Sequence, residues 1–297
     1  MLLVTGITGH SGKYFLQELI KHNYEGTIRC VVRSTSDTSL LDNSGLKLEK
    51  VVGDLANQAF LDSCLQEVDT VLHIGHIFNS LKVIKAAVHN NVQRAILVHT
   101  TGIYSKYKSA SEEYQNIESQ ISRIIAAQVS PLGLVILRPT MIYGNVKDQN
   151  MVVFIKMVDK LRIIPLIDHG KSLLQPVNGR DLGKAYYQVL VKPEIRRGDY
   201  ILSGDKPISM REMFKLISQN LRKQTAFVSV PLGLGVAAGR LLKAVTLGNV
   251  DYLERVQRMG ENRSFPHDEA AGDFGYDPMP FAEGLKIEVQ QYLETIK

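Results

Sequence analysis

A glycine-rich turn directly after the first apolar run constrains this chain more than any other feature. The run Leu2–Thr5 leads into Gly6, Gly9 and Gly12, with two residues between successive glycines. Gly6 allows a sharp turn out of a strand, Gly9 lets backbone amides approach a pyrophosphate, and Gly12 lets a helix pack closely on the sheet. The N-terminus of such a helix offers unpaired N–H groups to a phosphate. The pattern predicts a dinucleotide-binding turn, and an ordinary glycine-rich βα turn is the alternative.

Apolar runs alternate with helical segments through the first half of the chain. Strands are predicted at residues 2–5, 28–32, 48–52, 70–74, 95–99 and 134–137. Helices are predicted between them at residues 13–22, 58–66, 80–90 and 110–128. Runs that are apolar without alternation are typical of strands buried on both faces of a parallel sheet. The expected fold class is therefore α/β, with a doubly wound parallel Rossmann sheet.

After residue 139 the pattern loosens and becomes mainly helical. Helices are predicted at residues 148–161, 181–190, 209–221, 232–244, 250–259 and 281–296, with short strands at 174–177 and 200–202. We expect a dinucleotide-binding Rossmann domain over residues 1–165 and a smaller, mainly helical, substrate-binding lobe over residues 166–297. Residues 174–202 are expected to return to the first domain.

Composition limits the class of protein and its compartment. The chain has 297 residues, 44% of them hydrophobic and 22% charged, which is enough for a sizeable core. Its two cysteines, Cys30 and Cys64, cannot build a disulfide framework, which favours a reducing compartment. No basic leader precedes Gly6, and the apolar stretch 226–239 is too short and glycine-rich to span a bilayer. We therefore expect a cytoplasmic protein with no membrane partner.

The charge balance favours a small anionic ligand over a polymer. Lys and Arg number 35 against 30 Asp and Glu, a net charge of +5. No dense basic block with interleaved aromatic residues occurs, so nucleic acid is not an expected partner. His73 and His76 are three residues apart but lack a carboxylate partner, so no metal site is predicted. A nucleotide fits the scattered positive excess.

Several further segments, taken with the glycine turn, carry a family resemblance. They are Gly-Asp-Leu at 53–55, Val-Leu-His-Ile-Gly at 71–75, His-Thr-Thr-Gly-Ile-Tyr at 99–104, Leu-Arg-Pro-Thr-Met-Ile-Tyr-Gly at 137–144, Gln-Pro-Val at 175–177 and Phe-Gly-Tyr-Asp-Pro at 274–278. Together they resemble the short-chain dehydrogenase/reductase superfamily, in its extended or atypical branch of NAD(P)-dependent epimerase/dehydratase-like and NmrA-like proteins. The resemblance covers essentially the whole chain. It implies cofactor contacts from Gly6, Thr8, Gly9, His10, Ser11, Gly12, Asp54, Leu55, Ile74, Gly75, Pro139 and Met141.

The end of the second strand bears on which dinucleotide binds. An NAD-preferring site usually places a carboxylate there, on the ribose hydroxyls. In this chain the strand is followed by Arg33, which can bind a 2′-phosphate, with His10 as a helper. Asp37, a few residues later, is an alternative ribose partner. The alternative for Arg33 is a solvated surface arginine at a strand end, without a role in binding. We favour NADP(H) over NAD(H).

The resemblance also implies a Tyr-x-x-x-Lys pair on a helix, in which the lysine holds the ribose and the tyrosine moves a proton. The literal match, Tyr104 to Lys108, lies in the loop before the helix, which a capping-box pattern at 109–112 predicts to start after Lys108. Tyr114 is better placed, 13 residues after Thr101, but Glu118 stands where lysine is expected. Tyr104 with Lys108 and Tyr114 with Glu118 both remain candidates for the catalytic pair.

Two functions follow from these residues. The first is an NAD(P)-dependent epimerase, dehydratase or reductase that acts by hydride transfer on a nucleotide-sugar or related carbonyl or alcohol substrate. In it Thr100 or Thr101 would orient the reacting oxygen, and Tyr114 or Tyr104 would move the proton. The candidate anion clamps, each with a solvated surface position as the alternative, are Arg196, Arg197, Arg211, Arg258 and Arg263. The second is a non-catalytic NAD(P)-binding regulatory or redox-sensing protein, which Glu118 favours. Related proteins suggest a homodimer, with residues 110–128 as a candidate face.

Overall fold

The computed structural model describes residues 1–107, 109–129, 132–245 and 253–296. Lys108 and the first three residues of the helix predicted at 250–259 lie outside these ranges. The strands are β1 (Leu2–Thr5), β2 (Ile28–Val32), β3 (Leu48–Val52), β4 (Thr70–His73), β5 (Arg94–Val98), β6 (Gly133–Pro139), β7 (Ile142–Tyr143), β8 (Ile163–Ile167), β9 (Leu173–Leu174), β10 (Val177–Asn178), β11 (Arg197–Leu202), β12 (Ile208–Ser209) and β13 (Ala226–Val230). The helices are α1 (His10–Lys21), α2 (Ser39–Asp42), α3 (Gln58–Cys64), α4 (Ser80–His89), α5 (Ser111–Ala126), α6 (Met151–Lys160), α7 (Gly179–Leu190), α8 (Met210–Asn220), α9 (Leu232–Val245), α10 (Leu253–Met259), α11 (Asp268–Phe274) and α12 (Phe281–Thr295).

The centre of the molecule is a seven-stranded parallel sheet in the order β11-β6-β5-β4-β1-β2-β3. Helices α1, α7 and α11 cover one face, with Phe15 and Tyr186 in the apolar core beneath them. Helices α3, α4 and α5 cover the other face, where Ile84 and Ile117 are buried. The predicted class, an α/β doubly wound parallel sheet with an additional helical C-terminal region, is confirmed.

A second core lies outside this sheet, among α6, α8 and α12. Its largest side chains include Tyr143 and Phe214, with Leu285 from α12 beside them. The lobe is not purely helical, because β8 and β13 form a parallel two-stranded sheet. These two strands were not predicted from the sequence. The omission has a local cause: Pro165 interrupts the apolar run of β8, and proline is atypical inside a strand.

The prediction of a single strand at 174–177 is wrong, because the segment forms parts of two strands. Pro176 separates two short strands, β9 and β10, which pair with different partners, β12 and β7. Proline has no N–H to donate and therefore breaks a continuous ladder at that point. The split matters for function because it leaves the neighbouring Gln175 facing a cavity, described below.

The surfaces of the described helices bear on partners. Within those residues no helix is long and apolar enough to cross a membrane. On α5 the outward positions are mostly polar, among them Glu113, Asn116 and Arg123. A dimer through this face would therefore bury little apolar area.

Candidate functional site

The turn between β1 and α1 forms a cradle that only glycine fits. Gly6 has φ +77°, and a Cβ on it would lie 2.9 Å from the amide nitrogen of Gly75. A Cβ on Gly12 would lie 2.2 Å from the carbonyl oxygen of Gly6. Gly9 precedes α1 without a side-chain cap, so the amides of the first turn are left for another acceptor. These features fit a dinucleotide pyrophosphate at the helix N-terminus.

A groove of about 410 Å³ opens from this turn across the ends of β2, β3 and β4. It brings together seven of the predicted cofactor residues: Gly6, Thr8, Gly9, Arg33, Asp54, Leu55 and Gly75. Its wall also contains Gly53, which belongs to the segment 53–55 noted in the sequence, and His76, which was considered there only as a metal ligand. Val31, Val32, Ser36 and Asn79 were not predicted as site residues. Val31 and Val32 end β2, and the other two follow β2 and β4, so their place at the carboxyl ends of parallel strands was the signal available for finding them.

The other predicted cofactor residues lie around the groove without lining it. The His10 ring is 3.0 Å from the Asn145 side-chain amide, and the hydroxyl of Ser11 is 3.3 Å from that of Tyr186. Gly12 packs inside α1, Ile74 packs against the core, and Pro139 ends β6. Met141 lines a second cavity, described below.

Arg33 and Asp37 differ in how far their charges are already paired. Arg33 is exposed in the groove wall, and no carboxylate among the described residues forms an ion pair with it. The Asp37 carboxylate accepts hydrogen bonds from the backbone and hydroxyl of Ser39, which lower its pKa. The Nζ of Lys13 lies 3.9 Å from the same carboxylate. A negatively charged ligand group would therefore meet an unpaired Arg33 in this groove.

His73 is a structural residue beneath the turn. Its Nδ1 is 2.6 Å from the hydroxyl oxygen of Thr5, and its Nε2 is 3.2 Å from the carbonyl oxygen of His76. Burial lowers the pKa of His73 to about 4, so the ring is neutral. The ring ties the end of β1 to the segment after β4 and thereby holds two walls of the groove together. Among the described residues, no group of three or more His, Cys, Asp or Glu could hold a metal ion.

A second cavity of about 680 Å³ begins where β5 and β6 end. Because β4 and β5 are adjacent and parallel, this cavity starts beside the groove that follows β4. The sheet side contributes Thr100, Thr101, Tyr104, Thr140 and Met141, and the C-terminal lobe contributes Leu174, Gln175, Arg258, Glu261, Arg263 and Phe265. The two cavities therefore open at neighbouring strand ends of the sheet.

The predicted threonines both line this cavity, but their hydroxyls are engaged differently. The Oγ1 of Thr100 accepts a hydrogen bond of 3.0 Å from the amide of Gly102 and so caps a short 3₁₀ turn. The Oγ1 of Thr101 donates at 3.3 Å to the carbonyl oxygen of Pro139. This leaves the lone pairs of the Thr101 hydroxyl as acceptors toward the cavity.

Glu118 is part of an ionic network centred on the buried Arg138. Its carboxylate receives a two-pronged hydrogen bond from Arg138, at 2.7 and 2.8 Å, and lies 2.7 Å from the Nδ1 of His99. Burial alone would raise the pKa of Glu118, but the bonds from His99 and Arg138 outweigh it and lower the pKa to about 2. Arg138 also pairs with Asp199 on β11. The carboxylate is therefore committed to neighbours inside the protein.

The two candidate tyrosines lie in different surroundings. Tyr114 is buried in the core on the α5 side of the sheet, with its ring 5.6 Å from that of Phe78, and it does not line the second cavity. Burial first, and then Glu113 and Glu254, raise the pKa of its phenol. Tyr104 is 51% exposed and forms part of the cavity wall. Lys108, its predicted partner, lies outside the described residues.

The start of α5 differs from the capping-box expectation. The helix begins at Ser111 after Ala110, with no side-chain cap. The hydroxyl of Ser109 instead donates at 2.8 Å to the carboxylate of Glu254 in α10. In a capping box the serine oxygen would accept from a backbone amide of the first turn, whereas here the Ser109 hydroxyl serves as a donor to a charged carboxylate.

The lobe side of the cavity contains two arginines with incomplete pairing. The Nε atoms of Arg258 and Arg263 are buried, and among the described residues neither has a hydrogen-bond partner. Burial, and then the nearby charge of Arg258, lower the pKa of Arg263 to about 10. Nη1 of Arg258 lies 3.8 Å from the carboxylate of Glu254, and the charge of Glu261 acts on Arg263, but Lys106 adds a third cation to the cavity wall. The cavity wall therefore favours an anion.

The parallel sheet, the glycine cradle and the groove across the strand ends define a dinucleotide-binding Rossmann protein. The chain belongs to the NAD(P)H-binding family, whose sequence profile matches residues 6–159. No curated protein matches the chain.

Solved structures resemble the whole chain. The crystal structure of gox2253 is 18% identical, with a TM-score of 0.77 over 99% of this chain and 98% of that one. A UDP-glucose 4-epimerase from Thermotoga maritima with UDP-glucose is 15% identical, with a TM-score of 0.73 over 100% and 99%. The dTDP-glucose 4,6-dehydratase DesIV from Streptomyces venezuelae, with NAD bound, is 18% identical, with a TM-score of 0.72 over 99% and 97%. These solved structures share the fold of the whole chain.

Proposed function

We propose that this protein is an NAD(P)-dependent oxidoreductase, epimerase or dehydratase that acts on an anionic carbonyl or alcohol substrate such as a nucleotide-sugar. The observation that carries the proposal is the adjacency of the two cavities at the ends of β4, β5 and β6. The groove holds the glycine cradle for a dinucleotide, and the second cavity has room for a substrate beside it. Bound NAD(P)H supplies a hydride to a carbonyl carbon, or NAD(P)⁺ takes one from an alcohol.

Residues of the second cavity have roles that fit this chemistry. Tyr104 is the proposed proton donor and acceptor, because it is the candidate tyrosine whose ring reaches the cavity. Thr101, and Thr100 beside it, would orient the reacting oxygen. Arg258 and Arg263 would hold an anionic group of the substrate, in keeping with their buried, unpartnered Nε atoms. The Thermotoga maritima epimerase was solved with UDP-glucose, which carries such a group.

NADP(H) is the proposed cofactor, in preference to NAD(H). The unpaired Arg33 in the groove wall supports this, and so does the engagement of Asp37 by Ser39. Replacing Arg33 with Asp should weaken NADPH binding at least about tenfold and leave NADH binding little changed. Fluorescence titration with both cofactors measures this, and the exposed Arg123→Asp on α5 is the control. An equal loss for both cofactors would remove the argument for a 2′-phosphate contact.

Tyrosine-to-phenylalanine variants test the assignment of the proton donor. Tyr104→Phe should lower turnover about a hundredfold without changing cofactor affinity, because it removes only the acidic hydroxyl. Tyr114→Phe should keep turnover, since its ring is in the core. The substrates to try are UDP-glucose and dTDP-glucose, with product analysis after incubation with cofactor. Loss of activity in Tyr114→Phe alone would transfer the role to Tyr114.

A second candidate function is a non-catalytic NAD(P)-binding regulator or redox sensor. It is favoured by the engagement of Glu118 with Arg138 and His99, which leaves no lysine at that position of α5 to hold a ribose. Cofactor that copurifies with the protein is extracted first, and NADPH and NADH are then titrated. Binding without conversion of any offered substrate supports the regulator, and conversion supports the enzyme.

Location and assembly complete the proposal. Cys30 and Cys64 are free, buried thiols, which suits a cytoplasmic location. A homodimer through residues 110–128 is the assembly that related proteins suggest, but the polar outward face of α5 offers it little apolar area. Light scattering at two protein concentrations measures the assembly state.

A further inference from the structure

Arg138 lies between a buried ionic network and the wall of the second cavity. It is 3% exposed and its guanidinium binds two carboxylates, Glu118 at 2.7 and 2.8 Å and Asp199 at 2.5 and 2.6 Å. Its remaining face is covered by Tyr104, whose ring centroid is 5.6 Å from the guanidinium carbon. That separation lies within the range of a cation–π contact. One side of the tyrosine ring therefore rests on a fixed positive charge.

A tyrosine that transfers its proton needs a positive charge nearby, and Arg138 is placed to supply one. A phenol that gives up its proton leaves a phenolate, and a nearby cation stabilises the phenolate. In the resembled family a lysine on the helix supplies that cation, whereas α5 has Glu118 at that position. Burial raises the pKa of Tyr104, the charge of Arg138 from β6 lowers it, and the charges of Asp199 from β11 and Glu118 from α5 raise it. Arg138 is the cation among them, and from the lobe the facing group is the Phe265 ring.

We propose that Arg138 is a positioning residue for Tyr104. Its guanidinium holds the phenol ring at the cavity wall and supplies, through the ring face, the positive charge that a helix lysine would supply. The carboxylates of Glu118 and Asp199 hold the guanidinium in place in turn. This inference rests on the proposed role of Tyr104 in proton transfer.

The step itself balances with groups already named. In the reduction direction, the O–H bond of Tyr104 would break and its proton would form the new O–H bond on the substrate oxygen, while the carbonyl carbon would take the hydride that a bound NAD(P)H would supply. The phenolate is left beside Arg138, and water entering the open cavity returns a proton to it. The reverse reaction uses the same bonds in the opposite order.

A purely structural role for Arg138 makes a different prediction. Arg138 ties α5, β6 and β11 together through its two ion pairs, so its removal lowers stability under either role. Only the positioning role also changes the ionisation of Tyr104. The control is Arg94, which is 5% exposed and binds the carbonyl oxygens of Val189 and Leu190 at the opposite end of the sheet.

The test measures tyrosinate absorbance against pH in the full-length protein without substrate. The Tyr104 titration is isolated by subtracting the curve of the matching Tyr104→Phe protein. Arg138→Met should raise the pKa of the Tyr104 phenol by about one unit, because the contact with the cation is lost. Arg94→Met should leave the titration unchanged. An unchanged titration in Arg138→Met, or an equal shift in Arg94→Met, would overturn the proposal.

A second variant guards against misfolding of Arg138→Met, which leaves two carboxylates without their cation. Arg138→Lys keeps a charge beside both carboxylates but loses the planar fork, so it should fold and raise the pKa of Tyr104 by about half a unit. A titration identical to wild type in this variant would contradict the role of the guanidinium. Where turnover is found, Arg138→Met should lower kcat about a hundredfold with KM little changed. A shifted titration without turnover on any substrate supports the positioning role and counts against the proposed enzyme.

Discussion

Two glutamates, the partly buried Glu118 and the fully buried Glu288, have pKa values displaced in opposite directions. Glu118 accepts hydrogen bonds from Arg138 and His99, which hold its pKa low and keep it ionised. Glu288 in α12 is fully buried; its Oε2 accepts from the amide of Gly144 at 2.7 Å. Burial, and then a hydrogen bond with Asp148, raise the pKa of Glu288 to about 9. The same residue type therefore gains a charge in one place and loses it in another, according to the partners that the fold supplies.

The state of Glu288 predicts how stability changes with pH. In the unfolded chain its pKa returns to the ordinary value of 4.5, so between that pH and about 9 the folded state binds more protons. Its contribution to stability is therefore present at low pH and declines as pH rises through this window. Glu288→Gln cannot ionise at this position and should remove the decline. The free energy of unfolding of the variant, relative to wild type, should therefore be higher at about pH 8.5 than at about pH 5.5.

Urea unfolding at both pH values measures this, with the exposed Glu283→Gln on the same helix as the control. Parallel pH dependences of wild type and Glu288→Gln would show that Glu288 is ionised in the folded protein.

At the scale of elements, close packing in the β1–α1 unit restricts which residues its sequence can contain. Helix α1 packs against α7, and Gly12 lets its first turn sit directly on the strand-to-helix turn. The strand bounds predicted for β1, β2 and β3 coincide with those of the structure. Continuous apolar runs between turn residues identify such strands because both faces of the sheet are covered by helices.

A single methyl group tests the packing of this unit. Gly12→Ala places a Cβ 2.2 Å from the carbonyl oxygen of Gly6, so the backbone must shift. The free energy of unfolding should fall by about 2 kcal/mol, and NADPH binding should weaken because the first-turn amides move. Gly272→Ala in α11 is the matched control, since its Cβ meets nothing within 4 Å. That variant should be up to about 1 kcal/mol more stable than wild type. Equal effects of the two substitutions would contradict the packing argument.

At the scale of the whole molecule, the second cavity depends on contacts between distant parts of the chain. Three residues after β5 are held by two carboxylates of the lobe: Glu254 binds Ser109, and Glu261 binds Ser105 and the Lys106 amide. The same lobe segment is anchored to the strand β9, where the Arg263 amide donates to the Leu173 carbonyl at 2.7 Å. The cavity wall is therefore closed by side chains about 150 residues apart in sequence.

Removal of one carboxylate should loosen this part of the cavity wall and little else. Glu261→Ala should raise amide hydrogen exchange in residues 253–263 and at Lys106, because their shared hydrogen bonds are lost. Exchange in the central sheet should stay unchanged. The exposed Glu283→Ala serves as the control, and protection equal to wild type across residues 253–263 would mean that other contacts hold the segment.

The sequence by itself determined the parallel sheet, the dinucleotide groove and most of the residues that line it. Those properties follow from local patterns: a glycine turn after a strand, apolar runs of strand length and helices between them. Only the tertiary structure decided which partners the residues of α5 have. Tyr114 and Glu118 are one turn apart, but the first packs on Phe78 while the second pairs with Arg138 and His99. The choice of Tyr104 as the tyrosine at the cavity, and the support it receives from Arg138, depend on which side chains distant strands bring together. Spacing along one chain does not encode such contacts, because they arise from the packing of separate elements.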